Sequence, residues 1–159
     1  PRDIFRLGWY TLEMEKENKV LFYERLGYVF SNFSSFKVEW RGVLWTTSEH
    51  AYQTAKFEDE KIIEEVKNAK SSHEAYKLAT VTYKDSVRKD WDDIKIDVME
   101  EILRAKLAQH PYVQKELART DKKEIIEDSP RDSFWGRGPD WKGENHLGKL
   151  WMKIRDENK

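Results

Sequence analysis

The stretch from about Trp91 to Gln109 most constrains what this chain can fold into. Trp91, Ile94, Val98, Ile102 and Ala105 recur at helical spacing, and Met99, Leu103 and Leu107 widen the apolar stripe. No Pro/Gly/Ser-rich linker, low-complexity tract or internal repeat divides the 159 residues, a length that suits one domain able to bury roughly 70% of its unfolded surface. Seven Trp, seven Tyr and seven Phe supply core material, while 37% of residues are charged, so a compact core is expected under a heavily ionised skin. The charges nearly cancel, 29 Lys and Arg against 30 Asp and Glu, which leaves no excess to drive general nucleic-acid binding by counterion release. A local basic pocket for a phosphorylated small molecule is still open. The absence of cysteine excludes disulfides, thiolate catalysis and Cys-based zinc sites. Pro1-Arg2-Asp3 does not open a signal peptide and no apolar run approaches a membrane span, so a cytoplasmic location is expected.

Ahead of the long helix the pattern is strand-like. Val20-Leu21-Phe22-Tyr23 is a short apolar run, and Phe36 to Trp45 alternates around Arg41-Gly42 as a hairpin does. Phe36, Val38 and Trp40 share one face before that turn, with Val43 and Trp45 after it. From about Thr46 the pattern turns helical. Ile62, Ile63 and Val66 lie on one side of Asp59–Lys70, and Ser72 is placed to cap a short helix with Ala75, Tyr76 and Ala79. Pro111 suits the first turn of a helix holding Val113 and Leu117. Glu124 to Glu127 reads as a returning strand, Ser129 to Gly143 as a loop, and Leu147, Leu150, Trp151 and Ile154 as a last helix. The expected class is α+β, predominantly helical, with a small hairpin or sheet toward the N-terminus.

Five segments are able to carry chemistry. On a helix, Glu49, Tyr52, Gln53 and Lys56 fall at i, i+3, i+4 and i+7 and share a face. Such a row lines a pocket, unless Thr46-Thr47-Ser48-Glu49 is only a capping box in which Glu49 satisfies a free backbone N–H. Phe30-Ser31-Asn32-Phe33 either presents the Asn32 amide beside the Phe33 ring or is a plain turn anchored by its aromatics. In the Gly-containing loop, Asp132 is placed to orient a hydroxyl or water and Trp135-Gly136 to stack on a base; Asp132 as an Asx turn and Trp135 as a core plug fit equally. Asn145 precedes the last helix as a cap, whose free N–H groups also suit an anion. Arg88 near Trp91 is a candidate phosphate partner, or a solvated arginine beside a buried tryptophan. The histidines at 50, 73, 110 and 146 are scattered without a His-Glu-x-x-His pair, and there is neither a Gly-x-Ser-x-Gly elbow nor a Walker-type loop.

Taken in order, these segments closely resemble the NADAR family, also called YbiA-like. The matching elements are Phe30-Ser31-Asn32-Phe33, Thr47-Ser48-Glu49-His50 with Gln53 and Lys56-Phe57, and Arg88 with Trp91. Val98-Met99 with Leu103, Lys106 and Gln109 follow, then Asp132 with Trp135-Gly136, and Asn145 with Leu147-Gly148. Agreement runs over roughly residues 27 to 155, nearly all of a single domain expected to span 1–159. Residues 1–26 are less family-like and are candidates for a rim that selects the substrate. Leu107 stands where an aromatic is more usual, and Trp151 where a leucine is common.

The resemblance implies an α+β fold of its own type, no metal and no other cofactor, and a glycosidase. Some members are N-glycosidases that act on phosphoribosylaminopyrimidine intermediates of early riboflavin biosynthesis and release ribose 5-phosphate. Others are hydrolases that remove ADP-ribose from guanine bases, which would make ADP-ribosylated nucleic acid a partner. A non-catalytic module binding NAD or ADP-ribose is the remaining reading; it would keep Trp91, Trp135 and Asn145 while losing the acid or the lysine, and this chain has both. Breaking a ribosyl C–N bond builds positive charge at C1′, which Glu49 or Asp132 is suited to stabilise, or one of them to activate water. The resemblance also matches Lys56 to a lysine thought to form a Schiff base with the sugar, which requires a lowered pKa. Trp91 or Trp135 would stack on the base, and Arg88 and the N–H groups at Asn145 would take phosphate. For this to work Asp132, Trp135 and Asn145 must fold back onto the Thr47–Phe57 segment. Oligomeric state is left open by the sequence.

Overall fold

The computed structural model describes residues 18–23 and 28–158, so most of the 1–26 segment, with its expected rim role, lies outside the described residues. The strands are β1 (Lys19–Phe22), β2 (Val38–Trp40), β3 (Val43–Trp45) and β4 (Glu124–Glu127). The helices are α1 (Ser48–Thr54), α2 (Glu60–Lys67), α3 (Ser72–Lys77), α4 (Trp91–Gln109), α5 (Pro111–Arg119) and α6 (His146–Glu157). The fold is α+β and predominantly helical. The chain divides into two compact units, one of residues 29–114 and the other joining residues 115–159 to the N-terminal part. None of the described helices is long and apolar enough to cross a membrane.

In the 29–114 unit, β2 and β3 form the expected hairpin, with Val38 opposite Trp45 and Trp40 opposite Val43. Arg41 and Gly42 both take positive φ, 51° and 75°, which is the two-residue turn whose twist matches a hairpin. Val38, Trp40 and Trp45 are buried while Glu39 and Leu44 face outward, so the period-2 reading holds. The Gln109 side chain closes the edge of β2: its Oε1 accepts from Glu39 N at 2.8 Å and its Nε2 donates to Glu39 O at 2.7 Å. An amide thereby substitutes for a neighbouring strand and blunts an edge that would otherwise be open. On α4 the stripe is buried through Trp91, Val98, Met99, Ile102, Leu103 and Leu107, each worth about 1.5–3 kcal/mol when fully removed from water.

Asp59 caps α2 through Oδ1, and Ile62 and Val66 then pack with Phe57, Ala69, Ala75 and Ala79. The cap of α3 is Ser71, one residue earlier than the sequence suggested. Ser72 is buried and hydrogen-bonds Thr47 and the Phe33 carbonyl instead.

In the other unit, β4 lies parallel to β1 with Val20 opposite Ile125 and Leu21 opposite Ile126. Helix α6 packs on β4, and Gly148 sets how close it comes. A Cβ there would sit 2.1 Å from the Ile125 carbonyl oxygen and 2.5 Å from Asn145 Nδ2, so only hydrogen fits. Gly148→Ala is therefore expected to destabilise by about 1–3 kcal/mol by overpacking, although alanine favours a helix by roughly 1 kcal/mol. A lower urea midpoint at unchanged m-value checks this; an unchanged midpoint would show that α6 has room to move away.

Candidate functional site

Helix α1 is short, and every one of its seven residues, Ser48 to Thr54, is buried. That is unusual, because six of the seven carry polar side-chain atoms, and burying such groups is costly unless they are hydrogen-bonded. The cap is Thr47, whose Oγ1 accepts from His50 N at 3.2 Å. Glu49 takes no part in a capping box: its Oε1 accepts from Gln53 Nε2 at 2.6 Å, and its own N–H donates to the Asn32 carbonyl at 3.0 Å.

His50 is fully buried, with Nε2 2.9 Å from Ala69 O and Nδ1 2.8 Å from Thr47 Oγ1. A carbonyl only accepts, so Nε2 carries a hydrogen and donates to Ala69 O. Thr47 in turn meets Ser72 Oγ at 3.0 Å, which anchors the start of α1 to α3.

The helix stops at Thr54 with Ala55 as its C-cap, so Lys56 stands just beyond the helix end. Its side chain still returns toward the helix. Nζ lies 5.5 Å from the centre of the Tyr52 ring and 6.0 Å from that of Trp91, and the two rings are 5.2 Å apart. Burial pushes the Lys56 pKa below the ordinary lysine value; the Glu49 charge works against this and the Lys95 charge adds to it. A carboxylate and an amine of lowered basicity therefore share one electrostatic neighbourhood. Trp91 is only 7% exposed, so it serves as a wall against Tyr52 and Lys56.

Arg88 enters through its backbone, its N–H donating to the Lys56 carbonyl at 2.8 Å. Its guanidinium is forked onto Asp90, Nε to Oδ1 at 2.6 Å and Nη2 to Oδ2 at 2.9 Å. That ion pair already offsets the charge assigned to phosphate.

The turn before the hairpin brings Asn32 against the same helix. Asn32 is buried, with Nδ2 3.0 Å from Met99 Sδ, while half-buried Phe33 meets His73 edge-on at 4.8 Å. Four buried side-chain atoms of this region have no hydrogen-bond partner: Asn32 Oδ1, Ser48 Oγ, Gln53 Oε1 and Thr54 Oγ1. Unsatisfied groups concentrated on one small helix and the turn against it mark a place where a polar ligand or water completes the set.

Lys106 is one of the family-matching residues, yet its position in the sequence alone assigns it no role. It is 0% exposed, in the middle of the apolar face of α4. Nζ donates to Val29 O at 2.6 Å, Ser31 O at 3.1 Å and Ser34 Oγ at 2.8 Å. A signal of its burial was available: a lysine at i+4 from Ile102 and i+7 from Met99 lies on the inward stripe. Burial pushes its pKa down to about 7 from 10.5. Between these values the unfolded chain holds a proton that the folded one has released, so stability rises with pH across that window and is lost again as pH falls through about 7. Relative to Lys106→Met, the wild type is expected to gain about 2 kcal/mol between roughly pH 7 and 9. Urea unfolding at both pH values checks this, and a pH-independent difference between the two proteins would contradict it.

Asp132, Trp135, Gly136 and Asn145 belong to the other unit. Asp132 Oδ1 accepts from Phe134 N at 2.9 Å and Trp135 N at 2.8 Å, the Asx-turn arrangement. Trp135 is half-buried and meets Phe134 edge-on at 4.8 Å. Gly136 allows close packing, since a Cβ would lie 3.0 Å from both Glu127 O and Ser129 Cβ. Asn145 occupies the cap position of α6 but makes no cap hydrogen bond. It sits in the left-handed region at φ 51°, and its side chain ties to β4, accepting from Glu127 N and donating to Ile125 O, both at 3.0 Å. Among the described residues no group of three or more His, Asp or Glu is arranged to hold a metal.

In the 29–114 unit a carboxylate and an amide on one buried helix and an amine of lowered basicity just beyond its end lie close together. The NADAR domain model matches residues 21–158. The chain is 38% identical over 128 residues to N-glycosidase YbiA of Escherichia coli, covering 80% of this chain and 79% of that protein. It is 37% identical over 131 residues to an N-glycosidase of Nostoc punctiforme, covering 80% and 83%. A riboflavin biosynthesis protein of Vibrio vulnificus matches at 36% over 144 residues, 89% of this chain but 39% of that protein. The NMR structure of Escherichia coli YbiA is similar with a TM-score of 0.80 at 36% identity, covering 89% of this chain and 84% of that one. The chain belongs to the NADAR family.

Proposed function

We propose that this protein hydrolyses the N-ribosidic bond of phosphoribosylaminopyrimidines of riboflavin biosynthesis, releasing ribose 5-phosphate, with Glu49 and Lys56 acting at C1′. The class is that of its relatives: the chain is an enzyme, a hydrolase of N-glycosyl compounds. The observation that carries the site reading is the Lys56 amine, lodged against Tyr52 and Trp91 and within the field of Glu49. The names of the Vibrio vulnificus relative and of a maize relative, both riboflavin biosynthesis proteins, support the substrate class.

In the proposed reaction the neutral Lys56 amine forms a bond to C1′ as the C1′–N bond breaks, its electron pair leaving on the base nitrogen. The Glu49 carboxylate, which accepts from the Gln53 amide, steadies the positive charge at C1′ and takes the proton that Lys56 sheds. That proton passes to the departing amine. The sugar ring opens to an iminium, C1′=Nζ⁺, as O4′ leaves and takes a proton from solvent; water then adds to C1′, its surplus proton returns to solvent, and lysine leaves as the neutral amine. The balance is one water consumed, one free aminopyrimidine and one ribose 5-phosphate formed. Asn32 Oδ1 and Gln53 Oε1, buried acceptors without a partner, are assigned to sugar hydroxyls.

The test is a turnover assay on a phosphoribosylaminopyrimidine beside ADP-ribosylated guanosine, with the released sugar identified by mass. Ribose 5-phosphate from the first at a much higher kcat/KM is expected. Faster release of ADP-ribose from the second would replace the substrate half of the reading and keep the bond. Tight binding of both without turnover would overturn catalysis itself.

A further inference from the structure

Resting on that reading of the site, we propose that Lys106 is a positioning residue of the reaction: from α4 it clamps the Val29–Ser34 turn so that Asn32 is held against Glu49.

A fully buried ammonium or amine is expensive, and this one directs its N–H groups at one short stretch of chain. Its acceptors are Val29 O, Ser31 O and Ser34 Oγ, 77, 75 and 72 residues away in sequence. The Ser34 hydroxyl donates in turn to Ser31 O at 2.6 Å, and Ser31 Oγ accepts from Phe33 N at 3.2 Å, which tightens the turn from inside. Asn32 lies at the centre of this clamp. Its carbonyl accepts the Glu49 N–H at 3.0 Å, and its amide reaches Met99, seven residues before Lys106 on the same helix. Two residues two turns apart on α4 thus hold one turn, and that turn holds the first turn of the helix carrying the acid. An apolar residue at 106 would leave the Val29 and Ser31 carbonyls without this donor and the turn free to shift. Displacements of about 1 Å at a reacting centre can cost on the order of 10²-fold in rate.

By fixing the turn the residue sets where Asn32 Oδ1, the buried acceptor assigned to a sugar hydroxyl, stands beside Glu49. Asn32→Ala removes that oxygen while keeping the backbone, so a double-mutant cycle distinguishes positioning from general support of the fold. The variants are Lys106→Met, Asn32→Ala and the double variant, assayed at 25 °C with folded protein verified by circular dichroism and urea titration. Lys106→Met is expected to lose about 10- to 100-fold in kcat with KM within about threefold. In the Asn32→Ala background the same change should cost less than about threefold. Equal losses in both backgrounds would overturn the proposal, because a merely structural lysine gives additive effects. Wild-type kcat in folded Lys106→Met would overturn it too. Should Lys106→Met not fold, Ser34→Ala, which removes one acceptor of the clamp, takes its place in the same cycle: a loss that shrinks in the Asn32→Ala background supports the clamp, and an equal loss overturns it. Absence of turnover in the wild type would instead strike the proposed function, so the two failures are separable.

Discussion

Lys56→Ala should lower kcat for ribose 5-phosphate release by about 10³-fold or more, close to 4 kcal/mol of transition-state stabilisation. Alanine removes the amine while Tyr52 and Trp91, packed 5.2 Å apart, keep the wall behind it. Lys56→Arg is the sharper variant. It keeps a cation beside Glu49 but offers no neutral amine near neutral pH, so it should be equally inactive if Lys56 is the nucleophile. An arginine variant with most of the wild-type turnover would mean that only the charge matters. Borohydride added during turnover should reduce the iminium and leave a sugar adduct on Lys56 in the wild type and none in either variant. The pH profile has a fixed sign: the amine must be neutral, and burial lowers its pKa. Activity should therefore rise with pH and level off below 10.5, the ordinary lysine value.

Glu49→Gln is expected to cost roughly 10²–10³-fold in kcat. The substitution is nearly isosteric, and an amide oxygen at position 49 can still accept from Gln53 Nε2, so the helix should survive. What is lost is the negative charge beside C1′. The same change gives a second readout, because Glu49 is the charge that raises the Lys56 pKa against the effect of burial. Without it the Lys56 pKa falls further, and the acid limb of the pH profile should move to lower pH as kcat drops. A rate loss with an unmoved limb would place Glu49 away from the lysine. Near-wild-type turnover in both Glu49→Gln and Lys56→Ala would remove the chemistry from this helix altogether.

Much of the fold was legible because it rests on local rules. The Arg41-Gly42 turn needs two residues at positive φ, and the alternation on either side names the buried face. The ends of α4 fell at Trp91 and Gln109 because the helical period of apolar residues begins and ends there, with Pro111 just beyond. The caps were less legible. Thr47, Ser71 and their neighbours are all hydroxyl residues in pairs, so the sequence allows either member to cap, and only backbone geometry chooses. Asn145 was placed at the right position with the wrong bonds. A residue before a helix caps it by default, but Gly148 draws α6 so close to β4 that the Asn145 amide finds the strand backbone first.

The same division runs through the site. By itself the sequence determined that Glu49, Tyr52 and Gln53 are spaced to share a helix face, because helical periodicity is a property of the chain alone; it put Lys56 on that face too, but the helix ends at Thr54 and Lys56 returns toward it from beyond the cap. It did not determine that the whole of α1 is buried rather than presenting a solvated face. Nor did it determine that Lys56 is packed against Trp91, that Asn32 rests on Glu49, or that Lys106 reaches across more than seventy residues to the turn. Those facts depend on which surfaces exclude water and which polar groups are left to find one another there. Desolvation is set by neighbours distant in sequence, and desolvation lowers the basicity of an ordinary lysine. The order of residues settled which groups could share a helix face, and tertiary packing decided which of them lost their water.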